Sequence, residues 1–439
     1  MKTTFSLIRL VVISTAWAVA TAASPSITAQ KQGNSVRIVA AGVDPAKRSL
    51  IERSSNLVDW IEMRSFTPGS PVIGIAETPR SQASFFRLIQ DPSPQSLVAA
   101  STYQPIQSGA IPGMSITVIT NGQISWSRGF GLLAKGRPEL VDGDTLFQAG
   151  SISKSLTALA ALRMVEEGLL SLDEPVCRQL TSLAIPGRNG TNVTLRHILS
   201  HTGGFRTIPY SGYAVGSPIP TPVQILQGQP PATTPAEYSN GPLGTWVYSN
   251  GAYIFLQVLM TDVTGQAFSD LLHELVLQPL NMGRSTFAQP LPADLECNAA
   301  CGHVDGAVVQ GNWRINPGLA SGGLWTTSTD LAHLLVGVRA AYLGDADSII
   351  AQSTAREMLR LHAVGDAPWG LGFALKVTAG VTEGFGHGGQ TYGYVSVFAL
   401  LVESGDGVAI LANSNDPSSV KPVYDACETA YGWPSDLLP

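Results

Sequence analysis

Charge is scarce in this chain. Only 13% of its 439 residues are charged, and 32 acidic side chains outnumber 26 basic ones, for a formal net charge of −6. No dense Lys/Arg cluster interrupts that balance, which excludes a surface built for phosphate backbones, so no nucleic-acid partner is expected. Long apolar runs are missing as well: beyond the first residues nothing is long and apolar enough to span a bilayer. Cysteine is limited to Cys177, Cys297, Cys301 and Cys427. In an oxidising compartment these allow two disulfides with three connectivities, or they stay free as buried thiols, and the paired C-x-x-C spacing of zinc sites is absent. Gly-x-Ser-x-Gly is also absent, which argues against an α/β-hydrolase elbow, and no phosphate-binding glycine loop or nucleotide fingerprint occurs. "HELVL" at His273 starts like a zinc-protease motif but carries leucine at 277. His197 and His201 lie four apart without a third ligand nearby, so a helix-end role is expected for them and neither metal nor cofactor for the chain.

What is present divides along the chain. At 44% hydrophobic residues there is material for a sizeable core, and the length suggests two or three units. Residues 1–23 read as a secretory leader: Lys2 and Arg9, the apolar run "LVVISTAWAVA", then small residues with cleavage expected after Ala22 or Ala23. No cysteine there can carry a lipid, so an exported protein, secreted or periplasmic, is expected. Residues 24–91 read as a small all-β module. "SVRIVAAG" alternates Val36, Ile38 and Ala40 with polar neighbours, and "SLIERSS", "DWIEM" and "SFFRLIQ" are further strand candidates, with Trp60 and Phe86 as core. "LIERSSNLVDWIEM" and "ASFFRLI" resemble a β-sandwich module attached to secreted bacterial enzymes. Residues 92–96, with Pro92 and Pro94, read as a linker.

From 97 to 439 the pattern is mixed. "MSITVIT-NG-QISWSRG" predicts a hairpin, because Asn121-Gly122 takes the positive φ values of a two-residue turn. A helix is expected from Ser151 to about Gly168, two strands in "YGYVSVFALLVE" and "GVAILANSN", and a closing helix near 418–430. Strand hairpins at both ends with helices between imply an antiparallel sheet assembled from distant segments and flanked by helices, an α+β fold. The Pro-, Gly- and Thr-rich stretch between Phe205 and Val247 is long for a loop and is a candidate wall or lid of a pocket.

Chemistry concentrates in "FQAGSISKSLTA". Lys154 stands one helical turn after Ser151, so both project from nearly the same face. Burial and the positive helix N-terminus would lower the lysine's pKa and let it serve as a base for a hydroxyl that is a poor nucleophile alone. Ser-x-x-Lys by itself also fits an ordinary capped helix start. Three other stretches supply partners. "TWVYSNGAYIFL" places Tyr248 and Asn250 just before an apolar helix, "LSHTGGF" carries His201, and "GFGHGGQTYGY" sets His387 among glycines that leave backbone N–H groups accessible.

Together these phrases, with "GLLSLDEPV", "ASGGLWTTSTDLAHLL" and "WGLGFAL", resemble the β-lactamase and penicillin-binding-protein superfamily of serine hydrolases over about residues 97–435, most closely its class C-like branch of esterases and D-aminopeptidases. The resemblance implies a β-lactamase-like sheet with a helical subdomain and an acyl-enzyme mechanism. Ser151 would be the nucleophile, Lys154 its base and Tyr248 the proton relay. Asn250 would orient a small-molecule ester or amide, and the N–H groups of Ser151 and of Gln390, after His387-Gly388-Gly389, would hold the oxyanion. Relatives acting on β-lactams carry Lys-Thr-Gly where this chain has His-Gly-Gly, and a neutral histidine offers no fixed cation to a carboxylate. An esterase on uncharged substrates is therefore expected, with a D-aminopeptidase, D,D-peptidase or weak β-lactamase as the alternative. From another class, a non-catalytic receptor for cell-wall or β-lactam-like ligands would need no complete proton-transfer set. Tyr210, Tyr213, Trp325, Trp369 and Tyr392 are candidate pocket aromatics.

Overall fold

A computed structural model of the chain describes residues 9–14, 26–32, 35–41, 49–54, 61–66, 73–77, 83–90, 92–206 and 211–435. Trp60, Tyr210 and the expected cleavage position at Ala22 or Ala23 lie outside them. By compactness the chain divides into two units, one holding the residues up to Ser108 together with Lys421–Trp433, the other Gly109–Val420.

The first unit contains β1 (Arg9–Ser14), β2 (Ser26–Gln32), β3 (Ser35–Ala41), β4 (Ser49–Ser54), β5 (Ile61–Phe66), β6 (Ile73–Glu77) and β7 (Ala83–Gln90). They form two sheets, ordered β1-β7-β4-β5 and β2-β3-β6. The alternating residues of β3 pair in register with β6, Ile38 opposite Ile75. Ile38, Leu50, Ile51, Met63 and Phe86 are buried. β1 lies within the segment read as a leader and runs parallel to β7. Residues expected as a linker, 92–96, instead enter helix α1 (Pro94–Ser108), which packs on β5 and on the C-terminal helix Lys421–Tyr431.

In the second unit the Asn-Gly turn behaves as its residues dictate. Asn121 and Gly122 take φ values of 53° and 73° and join β8 (Gly113–Thr120) to β9 (Gln123–Gly131). β8 pairs with the strand Gly407–Ala412, so the first and last strands of the unit lie side by side in one eight-stranded sheet, with β8 one strand in from its edge. That sheet continues outward through Tyr394–Leu401, Val381–Thr391, Ala374–Thr378 and the short strands Pro368–Trp369 and Ala363–Val364. Every neighbouring pair is antiparallel. Asn413 is fully buried and stitches this closure: it accepts from Gly113 N–H at 2.7 Å and donates to the carbonyls of Leu132 and Leu133 at 3.2 and 3.0 Å.

The expected helix is α2 (Ser153–Glu166), entered through a 3-10 turn at Gly150–Ile152 and followed by Gly168 at φ 73°. Ser, Thr and Ala on its first turns are buried along with Leu156, Leu159 and Leu162, so α2 runs through the core rather than over it. α3 (Leu195–Leu199) is capped by Thr194, and His197 completes the capping box, which is the helix-end role expected of it. The Pro-rich stretch is more ordered than a loop: it contains α4 (Pro222–Gln227), capped by Thr221 and Gln224, and a bridge from Phe205 to Ser239. α5 (Asn250–Thr264) starts at the N-cap Ser249, whose side chain accepts from Ala252 N–H, and ends at Gly265. All four cysteines are free thiols, Cys301 and Cys427 buried, so neither of the two possible disulfides forms. No helix among the described residues is long and apolar enough to cross a membrane.

Asn413→Ala would strand the buried Gly113 N–H and weaken two carbonyl contacts, a loss of at least about 2 kcal/mol. Chemical denaturation should show that drop in unfolding free energy, and a loss below about 0.5 kcal/mol would show that the stitch contributes little.

Candidate active site

Ser151 is placed by two close backbone approaches. Gly150 sits at φ 51°, and a Cβ added there would lie 2.9 Å from the Gln390 nitrogen; one added at Gly389 would lie 2.1 Å from the Ala149 carbonyl. Only residues without a side chain let the 3-10 turn lie against the strand Val381–Thr391. Ser396 donates to the same Ala149 carbonyl at 2.8 Å and locks the contact. Ser151 and Gln390 consequently line one cleft with Asn250, Asn316, Ser321 and Thr391.

Lys154 is fully buried and makes three hydrogen bonds: to Ser151 Oγ at 3.1 Å, Asn250 Oδ1 at 2.8 Å and the Ser321 carbonyl at 2.7 Å. None of these partners is charged. Two of them are carbonyl oxygens that can only accept, whereas the serine hydroxyl can also donate. Three acceptors would also satisfy the three N–H groups of an ammonium; burial without a charged partner is what favours the neutral amine, whose two N–H groups go to Asn250 and Ser321 and whose lone pair faces the Ser151 hydroxyl. Burial holds the Lys154 pKa well below the ordinary 10.5. The Ser321 carbonyl comes from the last turn of the short helix Leu319–Gly322, where carbonyls lack helical partners.

Tyr248 closes the other side of Ser151. Its phenol is hydrogen-bonded to the serine side chain, and burial raises its pKa above the ordinary 10. Lys154 Nζ lies 4.9 Å from the centre of its ring. His201, at φ 58°, accepts from Ser249 N–H at 3.2 Å through Nδ1 and packs its ring 4.4 Å from that of Tyr248. This contact anchors the turn carrying both Tyr248 and Asn250. Burial, reinforced by Lys154, holds the His201 pKa well below 6.5.

His387 is 3% exposed, bonds through Nδ1 to the Gly388 carbonyl, and leaves Nε2 without a hydrogen-bond partner. Burial first, and Lys154 second, lower its pKa to about 3, so it is neutral at pH 7. Trp369 stands 5.3 Å from the His387 ring and 6.1 Å from the Tyr248 ring. Gln390 turns its side-chain amide away to the Asn415 carbonyl at 2.8 Å, which leaves its backbone at the cleft.

The residues singled out in the sequence thus meet: Ser151, Lys154, Tyr248 and Asn250 by direct contact, His387 to Gln390 along the bordering strand. Of the other aromatic candidates, Trp325 is buried in the core, Tyr213 is mostly buried, and Tyr392 packs under Arg314. Two contributors escaped sequence reasoning. Ser321 acts through its carbonyl, which no side-chain motif can reveal, and the anchoring by His201 depends on a left-handed backbone that its neighbours Thr202-Gly203-Gly204 only hint at. Among the described residues no group of three or more His, Cys, Asp or Glu gathers to hold a metal, and His273 is exposed.

Because folding lowers the Lys154 pKa, the native state binds fewer protons than the unfolded chain between the lowered value and 10.5, so stability rises with pH across that window. Lys154→Met removes the burial of an ionisable amine. In urea denaturation, the stability of wild type relative to Lys154→Met should rise from pH 7 to pH 9.5. A difference between wild type and Lys154→Met that stays the same at the two pH values would contradict a lowered Lys154 pKa.

The Beta-lactamase family model matches residues 95–426. Protein flp of Staphylococcus aureus (strain MW2) is 28% identical over 189 residues, 42% of this chain and 36% of that protein. Unguisins hydrolase ungD of Aspergillus violaceofuscus is 28% identical over 197 residues, 42% of this chain and 33% of that protein. The chain therefore spans about a third of the length of these curated relatives. Among solved structures, the octameric penicillin-binding protein homologue from Pyrococcus abyssi superposes with a TM-score of 0.64 at 25% identity, covering 77% of this chain and 78% of that one. With the antiparallel sheet, its flanking helices and a family match across most of its length, the chain belongs to the beta-lactamase family of serine hydrolases.

Proposed function

We propose that this protein hydrolyses small, uncharged carboxylic esters through an acyl intermediate on Ser151. The observation that carries the reading is the hydrogen-bond set of Lys154: two obligate acceptors and one hydroxyl around a buried amine. Lys154 takes the Ser151 proton as Oγ attacks the ester carbonyl, and the ammonium formed is held by Asn250 and the Ser321 carbonyl. The N–H groups of Ser151 and Gln390 receive the developing oxyanion, each such donor contributing about 10²- to 10³-fold in rate. Tyr248 passes a proton to the leaving alkoxide. Water entering the same cleft then releases the acid by the reverse sequence, with its proton handed to the Lys154–Tyr248 pair.

The preference for uncharged substrates rests on His387. A neutral imidazole at the strand position beside the cleft gives a substrate carboxylate no cation to replace its lost hydration. The name of one relative, unguisins hydrolase, is consistent with hydrolytic chemistry on this fold.

Short-chain aryl esters, a chromogenic cephalosporin and D-alanyl peptides test the reading side by side. Wild type should turn over the esters well above the other two, and Ser151→Ala and Lys154→Met should each lose at least about a thousandfold in kcat. An equally active Ser151→Ala protein would refute the mechanism, and stoichiometric acylation without release would favour a receptor.

A further inference from the structure

Glu237 is a buried carboxyl that the mechanism above does not use. It lies in the Pro-rich stretch, is 2% exposed, and has one oxygen, Oε2, with no hydrogen-bond partner. Its other oxygen accepts from Tyr238 N–H at 3.2 Å and faces Arg206 Nε at 3.9 Å. The carboxyl is pressed against the second residue of α5: a Cβ added at Gly251 would lie 2.2 Å from Oε2 and 2.6 Å from the carboxyl carbon. The preceding residue is Asn250, the amide that holds Lys154.

The backbone around Glu237 is pinned on both sides. Its own N–H donates to the Leu226 carbonyl at 2.8 Å, Ser239 N–H to Pro186 at 2.9 Å, and Gly241 N–H to Gly204 at 2.9 Å. A side chain on so fixed a segment is a rigid stop for whatever it touches. Two features favour its ionised form, the partial positive charge of the α5 N-terminus and the Arg206 guanidinium. The surroundings are mostly apolar, with Ile225 and Leu226 from α4, Pro235, and Ile254 from α5 beside Thr234 and Asn250. Arg206 is the charged group facing the carboxyl and Tyr238 the adjacent titratable one.

We propose that Glu237 is a positioning residue for the hydrolysis: its carboxylate, wedged against Gly251, holds the first turn of α5 so that Asn250 meets Lys154. Glycine at 251 is then required by the carboxyl rather than by the helix, since its φ lies outside the left-handed region. Protonation removes the attraction to the helix terminus and to Arg206 together, so the first turn of α5 loosens as pH falls. Burial raises the Glu237 pKa to about 7, which puts this transition in the neutral range.

The inference rests on the hydrolase reading for its kinetic arm and on geometry alone for its structural arm. In wild type, kcat for an aryl ester should rise with pH through an inflection near 7. Glu237→Gln, a mimic of the protonated form, should lack that inflection and lose about tenfold or more in kcat at pH 8 with little change in KM. Glu237→Asp should recover part of the loss. A Glu237→Gln enzyme with the wild-type kcat profile would overturn the proposal. Independently of turnover, the crystal structure of Glu237→Gln should show the Asn250–Lys154 contact lengthened from 2.8 Å to beyond about 3.5 Å. An unchanged contact would overturn the positioning role, whereas activity surviving in Ser151→Ala would overturn only the hydrolase reading.

Discussion

The site depends on one constraint, a primary amine taken entirely out of water with no carboxylate to receive it. Ionised, such a group loses its hydration and gains only neutral oxygens in return, so the neutral form wins. Its three neighbours then sort themselves by what they can do. Asn250 Oδ1 and the Ser321 carbonyl accept, and the serine hydroxyl is left to face the lone pair. Every other feature around Ser151 serves to keep that arrangement dry and in register, including the His201 ring under Tyr248 and the Trp369 wall.

The fold supplies the register by bringing backbone against backbone. The Gly150–Ile152 turn touches the strand Val381–Thr391 because Gly150 and Gly389 present no side chains at the contact, and the strand is held by a sheet whose first and last members are stitched at Asn413. Residues more than two hundred positions apart, Ser151 and Gln390, thereby share one cleft. Asn250 arrives from a third direction, on a helix whose first turn is fixed by Ser249, His201 and Glu237. Three independently anchored segments meeting on one amine give a site with little freedom to reorganise, which is the condition for electrostatic stabilisation of a transition state.

Much of this was legible in the residues. Asn121-Gly122 announced its hairpin through turn chemistry, Ser151 and Lys154 through helical spacing, and the strands of the first unit through period-two alternation at Val36, Ile38 and Ala40. The legible features share one property: each is decided within a few residues. What escaped reading was decided by distant partners. The Ser321 contribution belongs to a backbone carbonyl, the order of the Pro-rich stretch comes from Phe205 pairing with Ser239, and β2 and β6 have no strong alternation of their own. The segment 92–96 looked like a linker because of its prolines, yet proline at the first position of a helix is well tolerated, and α1 starts at Pro94. The free cysteines follow the same logic, since pairing requires proximity that spacing along the chain does not report.

The charge state of Lys154 tests the account most directly. With selectively labelled lysine, the Lys154 side-chain NMR signals can be followed across pH and assigned by their loss in Lys154→Met. The account predicts a neutral amine at pH 7, titrating well below the surface lysines. A Lys154 signal that is protonated at pH 7 and titrates with the others near 10.5 would contradict it.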